Sequence, residues 1–267
     1  MSERVLITGA SAGIGKVFAE EYAKQGKDLI LTARREDRLS ALASELENKH
    51  GVKSHIVPLD LATDDSAEKL VADLELNKLV VTTLINNAGY GLPGTFFNTD
   101  WKDQADFLRV LCTLPIELTH RLLPGMAARG YGRIINVASL AGYMPGTAGH
   151  SLYAPVKSAL IKFSESINAE AETSGHNIHC TALCPGFTWS EFHDVNGTRE
   201  STNKMPKWMW MEAEPVVRAG IKAVEAGRPV DVPGGVNKFL SGLSRKLPEG
   251  WVRSITGRQS RSFRRTE

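Results

Sequence analysis

Six short apolar runs are spaced along the chain: Arg4 to Thr8, Asp28 to Thr32, Lys53 to Leu59, Val80 to Ile85, Arg133 to Ala138 and Ile178 to Cys184. Runs of this length bounded by turn residues predict strands buried on both faces, and the stretches between them read as amphipathic helices or turns. Glycine marks three helix ends. Gly15 to Gln25 stops at Gly26, Asp37 to His50 at Gly51, and Tyr153 to Ser174 at Gly175, where a helix C-terminus commonly needs a left-handed residue. Strict alternation of strand and helix predicts an α/β fold with one doubly wound parallel sheet. Right-handed crossovers then place helices on both faces, and the strand C-termini converge on a single crevice.

No linker, repeat or low-complexity block divides the first 235 residues, and 42% apolar content over 267 residues suffices for one large core. Residues 1–250 therefore read as a single domain, with 251–267 as a basic C-terminal tail. The stretch 187–214 is the exception. It lacks a period yet holds Trp189, Phe192, Trp208, Met209, Trp210 and Met211, which predicts either a lid over an apolar substrate or side chains packed on the domain or a neighbouring subunit.

Charge separates the body from the tail. Residues 1–250 carry 27 basic and 29 acidic side chains, whereas 251–267 hold five arginines and one acid. The body is therefore not a nucleic-acid binder, and the tail reads as a solvated terminus or a contact for an acidic partner. Cys112, Cys180 and Cys184 have no metal-type spacing and lie in apolar stretches, as thiols of a reducing compartment do. No metal site is expected. No apolar run approaches the ~20 residues of a membrane span, and a first strand at Arg4 leaves no room for a signal peptide, so the expected location is cytoplasmic.

Thr8-Gly9-Ala10-Ser11-Ala12-Gly13-Ile14-Gly15 falls between the first strand and the first helix, where the pyrophosphate of a dinucleotide needs close approach to the backbone. Glycine permits that approach, and the helix N-terminus directs amides and the positive end of its dipole at the phosphates. The placement makes the sheet Rossmann-type, with Gly9, Ser11, Gly13, Ile14 and Gly15 as candidate cofactor contacts. After the second strand comes Thr32-Ala33-Arg34-Arg35, where an NAD-binding chain usually carries an acid for the adenosine ribose. A guanidinium there suits a 2′-phosphate instead, so the expected cofactor is NADP(H), with Arg34 as main contact and Arg35 as second. The alternative is a pair of solvated arginines at a helix start. Asp60, after the third strand, is placed to meet the adenine edge.

Tyr153 and Lys157 are four residues apart in a helical segment and so emerge on one face. A free tyrosine has a pKa of about 10, and a neighbouring ammonium favours the phenolate, bringing the acid closer to working range. Tyr-x-x-x-Lys alone is a low-specificity motif; Ser139 adds the context. It follows the buried strand 133–138 and so reaches the same crevice mouth as the glycine turn, where a hydroxyl can polarise a carbonyl oxygen. Pro155, between the pair, is accepted only if the helix begins near Ala154.

Together these residues resemble the short-chain dehydrogenase/reductase family, in its compact one-domain, NADP-preferring branch, over residues 4–235. Four motifs carry the likeness: the turn Thr8 to Gly15; Asn86-Asn87-Ala88-Gly89 after the fourth strand; Ser139 with Tyr153 and Lys157; and Pro185-Gly186 followed by Thr188. The resemblance implies hydride transfer between NADP(H) and a carbonyl or secondary alcohol, with Ser139, Tyr153 and Lys157 catalytic and Tyr153 and Lys157 also meeting the cofactor. Asn87, Ala88 and Gly89 would line it, and Pro185, Gly186 and Thr188 would lie near its nicotinamide. A homodimer or homotetramer through the helices Asp103 to Leu123 and Tyr153 to Ser174 follows from the same likeness, as does a small carbonyl or alcohol substrate of ketone, aldehyde or 3-oxoacyl type. One departure stands out. Leu111 occupies the place where the family carries an asparagine that holds a relay water, which leaves a non-catalytic NADP(H)-binding sensor or scaffold as the alternative.

Overall fold

The computed structural model describes residues 3–146, 149–192 and 205–246. The strands are β1 (Arg4–Thr8), β2 (Asp28–Ala33), β3 (Ser54–Pro58), β4 (Thr83–Asn86), β5 (Gly132–Val137), β6 (Ile178–Leu183), β7 (Phe187–Thr188), β8 (Trp210–Met211) and β9 (Val230–Asp231). The helices are α1 (Gly13–Lys24), α2 (Glu36–His50), α3 (Ser66–Leu76), α4 (Trp101–Leu108), α5 (Leu114–Arg129), α6 (Tyr153–Thr173), α7 (Ala213–Glu225) and α8 (Gly235–Lys246). Among the described residues seven strands form one parallel sheet in the order β3-β2-β1-β4-β5-β6-β9.

The two-residue period of a strand sends alternate side chains to opposite faces. Val5, Ile7, Leu29, Leu31, Ile85 and Ile135 join a core closed by α1, α2 and α7. Leu6, Ile30, Leu84 and Ile134 join a second, closed by α3, α4, α5 and α6. Each such aliphatic side chain contributes about 2 kcal/mol on burial, which is why continuous apolar runs, rather than alternating ones, mark these strands. The strand order reverses between β1 and β4, so the crevice lies beyond the C-terminal ends of those two strands.

The six expected strands all form, β1 with the expected bounds and the others with ends moved by at most three residues, and α1, α2 and α6 end within two residues of Gly26, Gly51 and Gly175. α6 opens at Tyr153, which puts Pro155 in its first turn. One expectation needs correction. The helix Asp103 to Leu123 is not continuous: Arg109–Thr113 winds as a π-helical turn between α4 and α5, with the Leu114 amide bonding the Arg109 carbonyl. Pro115 has no amide to offer the Leu111 carbonyl, so the ordinary ladder cannot run through this point. Within 187–214, β7 and β8 pair in parallel, Lys207–Met209 forms a 3-10 turn, and α7 starts at Ala213. Positions 193–204 lie outside the described residues. Past 235 the chain forms α8, whose Asn237 is buried. The basic tail 251–267 lies outside the described residues.

Candidate active site

The glycine turn is bonded into the framework. Gly9 and Ala10 donate their amides to the Thr32 carbonyl at 2.9 and 3.3 Å. The Thr8 hydroxyl accepts from the amides of Asn87 and Ala88 at 2.9 and 3.0 Å. The Asn87 side chain donates to the carbonyls of Thr8 at 2.9 Å and Gly9 at 3.2 Å, so part of its polar capacity joins β1 to β4. A Cβ at Gly9 would sit 2.8 Å from Ala88 Cα, and one at Gly15 would overlap the Gly9 carbonyl and the Asn87 amide. Gly9 and Gly13 take φ of +67° and +55°, which side chains rarely tolerate. Ser11 and Ile14 are half-buried in this turn. No side chain caps α1 at Ala12 and no acid stands in its first turn, so its amides and dipole are suited to an anionic group. The turn therefore fits a dinucleotide pyrophosphate.

At the adjoining end Arg34 is exposed, and its charge opposes the burial that pushes the Tyr90 hydroxyl up to about 12, together with the carboxylates of Asp106, Asp103 and Asp60. Arg35 is half-buried, and its Nη2 donates to Ser11 Oγ at 3.1 Å, tying the end of β2 to the glycine turn. Asp60 is exposed, its carboxylate accepting the Ala62 amide at 3.0 Å. Two further charged residues belong here. Arg38 Nη1 donates to both carboxylate oxygens of Glu191, at 3.0 and 2.8 Å, and Arg35 Nη1 stands 3.5 Å from the same carboxylate.

Ser139 lies two residues past the end of β5 and caps the 3-10 turn Leu140–Tyr143, its Oγ accepting the Ala141 amide at 3.1 Å. That turn lies against α6: a Cβ at Gly142 would come 2.6 Å from Ile161 Cδ1 and 2.9 Å from the Lys157 carbonyl carbon. Lys157 is 6% exposed, and its Nζ donates to the Val137 carbonyl at 2.7 Å and lies 5.8 Å from the centre of the Tyr153 ring. Burial lowers its pKa to about 8, with the nearby Cys184 acting in the opposite direction. Leu140 donates to the Pro185 carbonyl at 2.9 Å, which brings the Pro185-Gly186 turn to the same place, and buried Thr188 donates its hydroxyl to the Gly186 carbonyl at 3.2 Å. A Cβ at Gly186 would strike the side chain of Asn237.

Leu111 is 1% exposed and faces Gly89, whose Cβ would lie 3.5 Å from Leu111 Cγ. The wall beside the Asn87–Gly89 turn is therefore apolar at this point. Ser190 stands over Gly13, and the Phe192 ring is 6.2 Å from that of Tyr153. The apolar side chains near them turn largely on each other: Trp189 stacks on Trp210 at 4.0 Å, Phe187 lies 5.3 Å from Trp210, and Trp208 is exposed. The sequence reading missed Arg38, Ser190, Glu191 and Asn237 as parts of the site. For Arg38 a signal existed, since it follows Arg35 by three positions at the start of a helix.

The family model described as short chain dehydrogenase matches residues 3–200. Sulfoacetaldehyde reductase of Chromohalobacter salexigens is 37% identical over 194 residues, covering 72% of this chain and 75% of the relative. A 3-oxoacyl-acyl-carrier-protein reductase of Aquifex aeolicus is 34% identical, covering 68% and 72%. Among solved structures, a short-chain dehydrogenase from Sphingobium yanoikuyae in complex with NADPH superposes with a TM-score of 0.79 at 29% identity, over 92% of this chain and 96% of that one. With its parallel sheet, its glycine turn at the reversal of strand order and its Tyr153–Lys157 pair, the chain belongs to the short-chain dehydrogenase/reductase family of oxidoreductases.

Proposed function

We propose that this protein is an NADP(H)-dependent reductase or dehydrogenase working between a carbonyl and a secondary alcohol, on an apolar ketone, aldehyde or 3-oxoacyl compound. The observation that carries this is the seating of buried Lys157 one helical turn from Tyr153, in the crevice shared with the glycine turn and Ser139. Ser139 orients the substrate oxygen, and Tyr153 gives or takes its proton. The Lys157 ammonium favours ionisation of Tyr153. NADP(H), when bound, supplies or accepts the hydride.

Gly9, Ser11, Gly13, Ile14 and Gly15 would hold the pyrophosphate, Arg34 and Arg35 the 2′-phosphate, and Asp60 the adenine edge. Asn87, Ala88 and Gly89 would line the middle of the cofactor, and Pro185, Gly186 and Thr188 its nicotinamide end, with Tyr153 and Lys157 beside the nicotinamide ribose. Support for NADP(H) over NAD(H) comes from the two arginines that follow β2 in place of an acid and from the NADPH complex of the Sphingobium neighbour. We read the chain as cytoplasmic and as a homodimer or homotetramer through α4, α5 and α6, which a sizing profile of a single protomer would refute.

A second reading, a non-catalytic NADP(H)-binding sensor or scaffold, draws on buried Leu111. One preparation separates the two. Titration with NADPH and NADH, followed by nicotinamide fluorescence, precedes a panel of apolar ketones and aldehydes monitored by absorbance. Tight NADPH binding with consumption of a carbonyl is the expected result; binding without turnover favours the sensor, and failure to bind either nucleotide overturns the proposal. In the same assay Arg34→Asp weakens NADPH far more than NADH, and an unchanged NADPH affinity would remove Arg34 as the phosphate anchor.

A further inference from the structure

The residues Thr188 to Phe192 cross the whole crevice. Thr188 begins beside Gly186, the Ser190 side chain stands 3.2 Å from where a Cβ of Gly13 would lie, and Phe192 reaches the ring of Tyr153. Between them the Glu191 carboxylate accepts from Arg38 Nη1 through both oxygens and lies 3.5 Å from Arg35 Nη1. The other terminal nitrogen of Arg35 is bonded to Ser11 of the glycine turn. A carboxylate from a distant part of the chain thus sits on guanidinium groups beside Arg34, where the proposed function puts a ribose 2′-phosphate.

We propose that Glu191 is a specificity-determining residue that competes with the cofactor's 2′-phosphate for Arg35 and Arg38. It thereby weakens the phosphate-bearing nucleotide relative to the phosphate-free one and eases its departure. The inference rests on the reading of the crevice as an NADP(H) site. A phosphate monoester carries about −1.5 to −2 charges and three acceptor oxygens, against one charge and two oxygens for a carboxylate, so the phosphate displaces Glu191 from shared donors. The side chains of Arg35, Arg38 and Glu191 are 40%, 43% and 47% exposed, and exposed ion pairs are weak. The competition therefore tempers binding without preventing it. When the nucleotide leaves, the carboxylate retakes the arginines and Ser190 returns over Gly13. Product release limits turnover in many enzymes, so a built-in competitor at the phosphate has a kinetic use where the nucleotide is the product that leaves last.

Calorimetric titration of the full-length wild type and Glu191→Gln with adenosine 2′,5′-bisphosphate and with 5′-AMP tests this without turnover. The variant should bind the bisphosphate about three- to fivefold more tightly, with 5′-AMP little changed. NADPH dissociation followed by stopped-flow fluorescence should slow by a similar factor. An unchanged ratio between the two nucleotides, or a weaker bisphosphate, would overturn the inference, the latter because Glu191 would then be holding the arginines in place for the phosphate. The wild type alone separates this from the underlying reading. Equal affinity for both nucleotides would remove the NADP(H) assignment and this inference together, whereas a wild-type preference for the bisphosphate that Glu191→Gln leaves unaltered removes this inference alone.

Discussion

The glycine turn and the segment that crosses it are held in opposite ways. The turn is fixed by main-chain and short side-chain bonds to β2 and β4, packed so closely that a single Cβ at Gly15 collides with backbone. The segment Thr188–Phe192 is anchored at its start, where Thr188 pairs with Met211 and the Trp189 amide donates to the Met211 carbonyl at 2.9 Å, and is held beyond that by exposed ion pairs from Glu191 and by aromatic stacking of Trp189 on Trp210. A tightly packed, fully bonded element has one arrangement, whereas contacts of the second kind are individually weak and exchangeable. The first contacts suit an element that positions the cofactor, and the second suit the exchange at Glu191 that we propose.

Gly15→Val should give the largest effect. The collision with Gly9 and Asn87 costs on the order of 3 kcal/mol and opens the turn, so thermal melting drops and nucleotide titration detects no binding. A variant that binds normally would show that the turn adapts as readily as the segment above it.

Lys157 sharpens the same contrast through pH. Burial holds its pKa near 8, against an ordinary value of 10.5. Between those values the unfolded chain keeps a proton that the folded chain has released. Stability therefore rises with pH across that window, and this gain is absent below about pH 8. In urea melts from pH 7.5 to 10.5, wild type should gain on Lys157→Met by on the order of 1 kcal/mol per pH unit. A difference independent of pH would mean that the lysine is solvated in the folded state.

Trp189→Ala should do least to the whole molecule. Loss of the stack on Trp210 costs about 1 kcal/mol and falls on the segment, so hydrogen exchange there accelerates while the amides of the glycine turn keep their protection. Loss of protection in both regions would show that they open as one unit.

What could be read in advance follows the same division. The strands announced themselves because sheet burial on both faces demands consecutive apolar residues, and the turn because pyrophosphate approach demands glycine at fixed offsets after β1. The shared face of Tyr153 and Lys157 was legible from helical spacing, but that spacing is a low-specificity signal and needed Ser139 at the end of the buried strand for its context. The π-helical turn at Arg109–Thr113 was written in Pro115, whose missing amide was there to be weighed. β9 is two residues long and too short to carry a period. The pairing of Glu191 with Arg38 joins positions 153 residues apart, and the stack of Trp189 on Trp210 joins the two ends of an aperiodic stretch. Neither has a local pattern, because both depend on where the chain returns after β6.

Tyr153 is the centre of the proposed reaction. On one preparation each of wild type and Tyr153→Phe, NADPH is titrated by fluorescence and a carbonyl that the wild type reduces is then added. Turnover should fall by at least about 100-fold while NADPH affinity stays close to that of the wild type; undiminished turnover in the variant would contradict the assignment of the reaction centre.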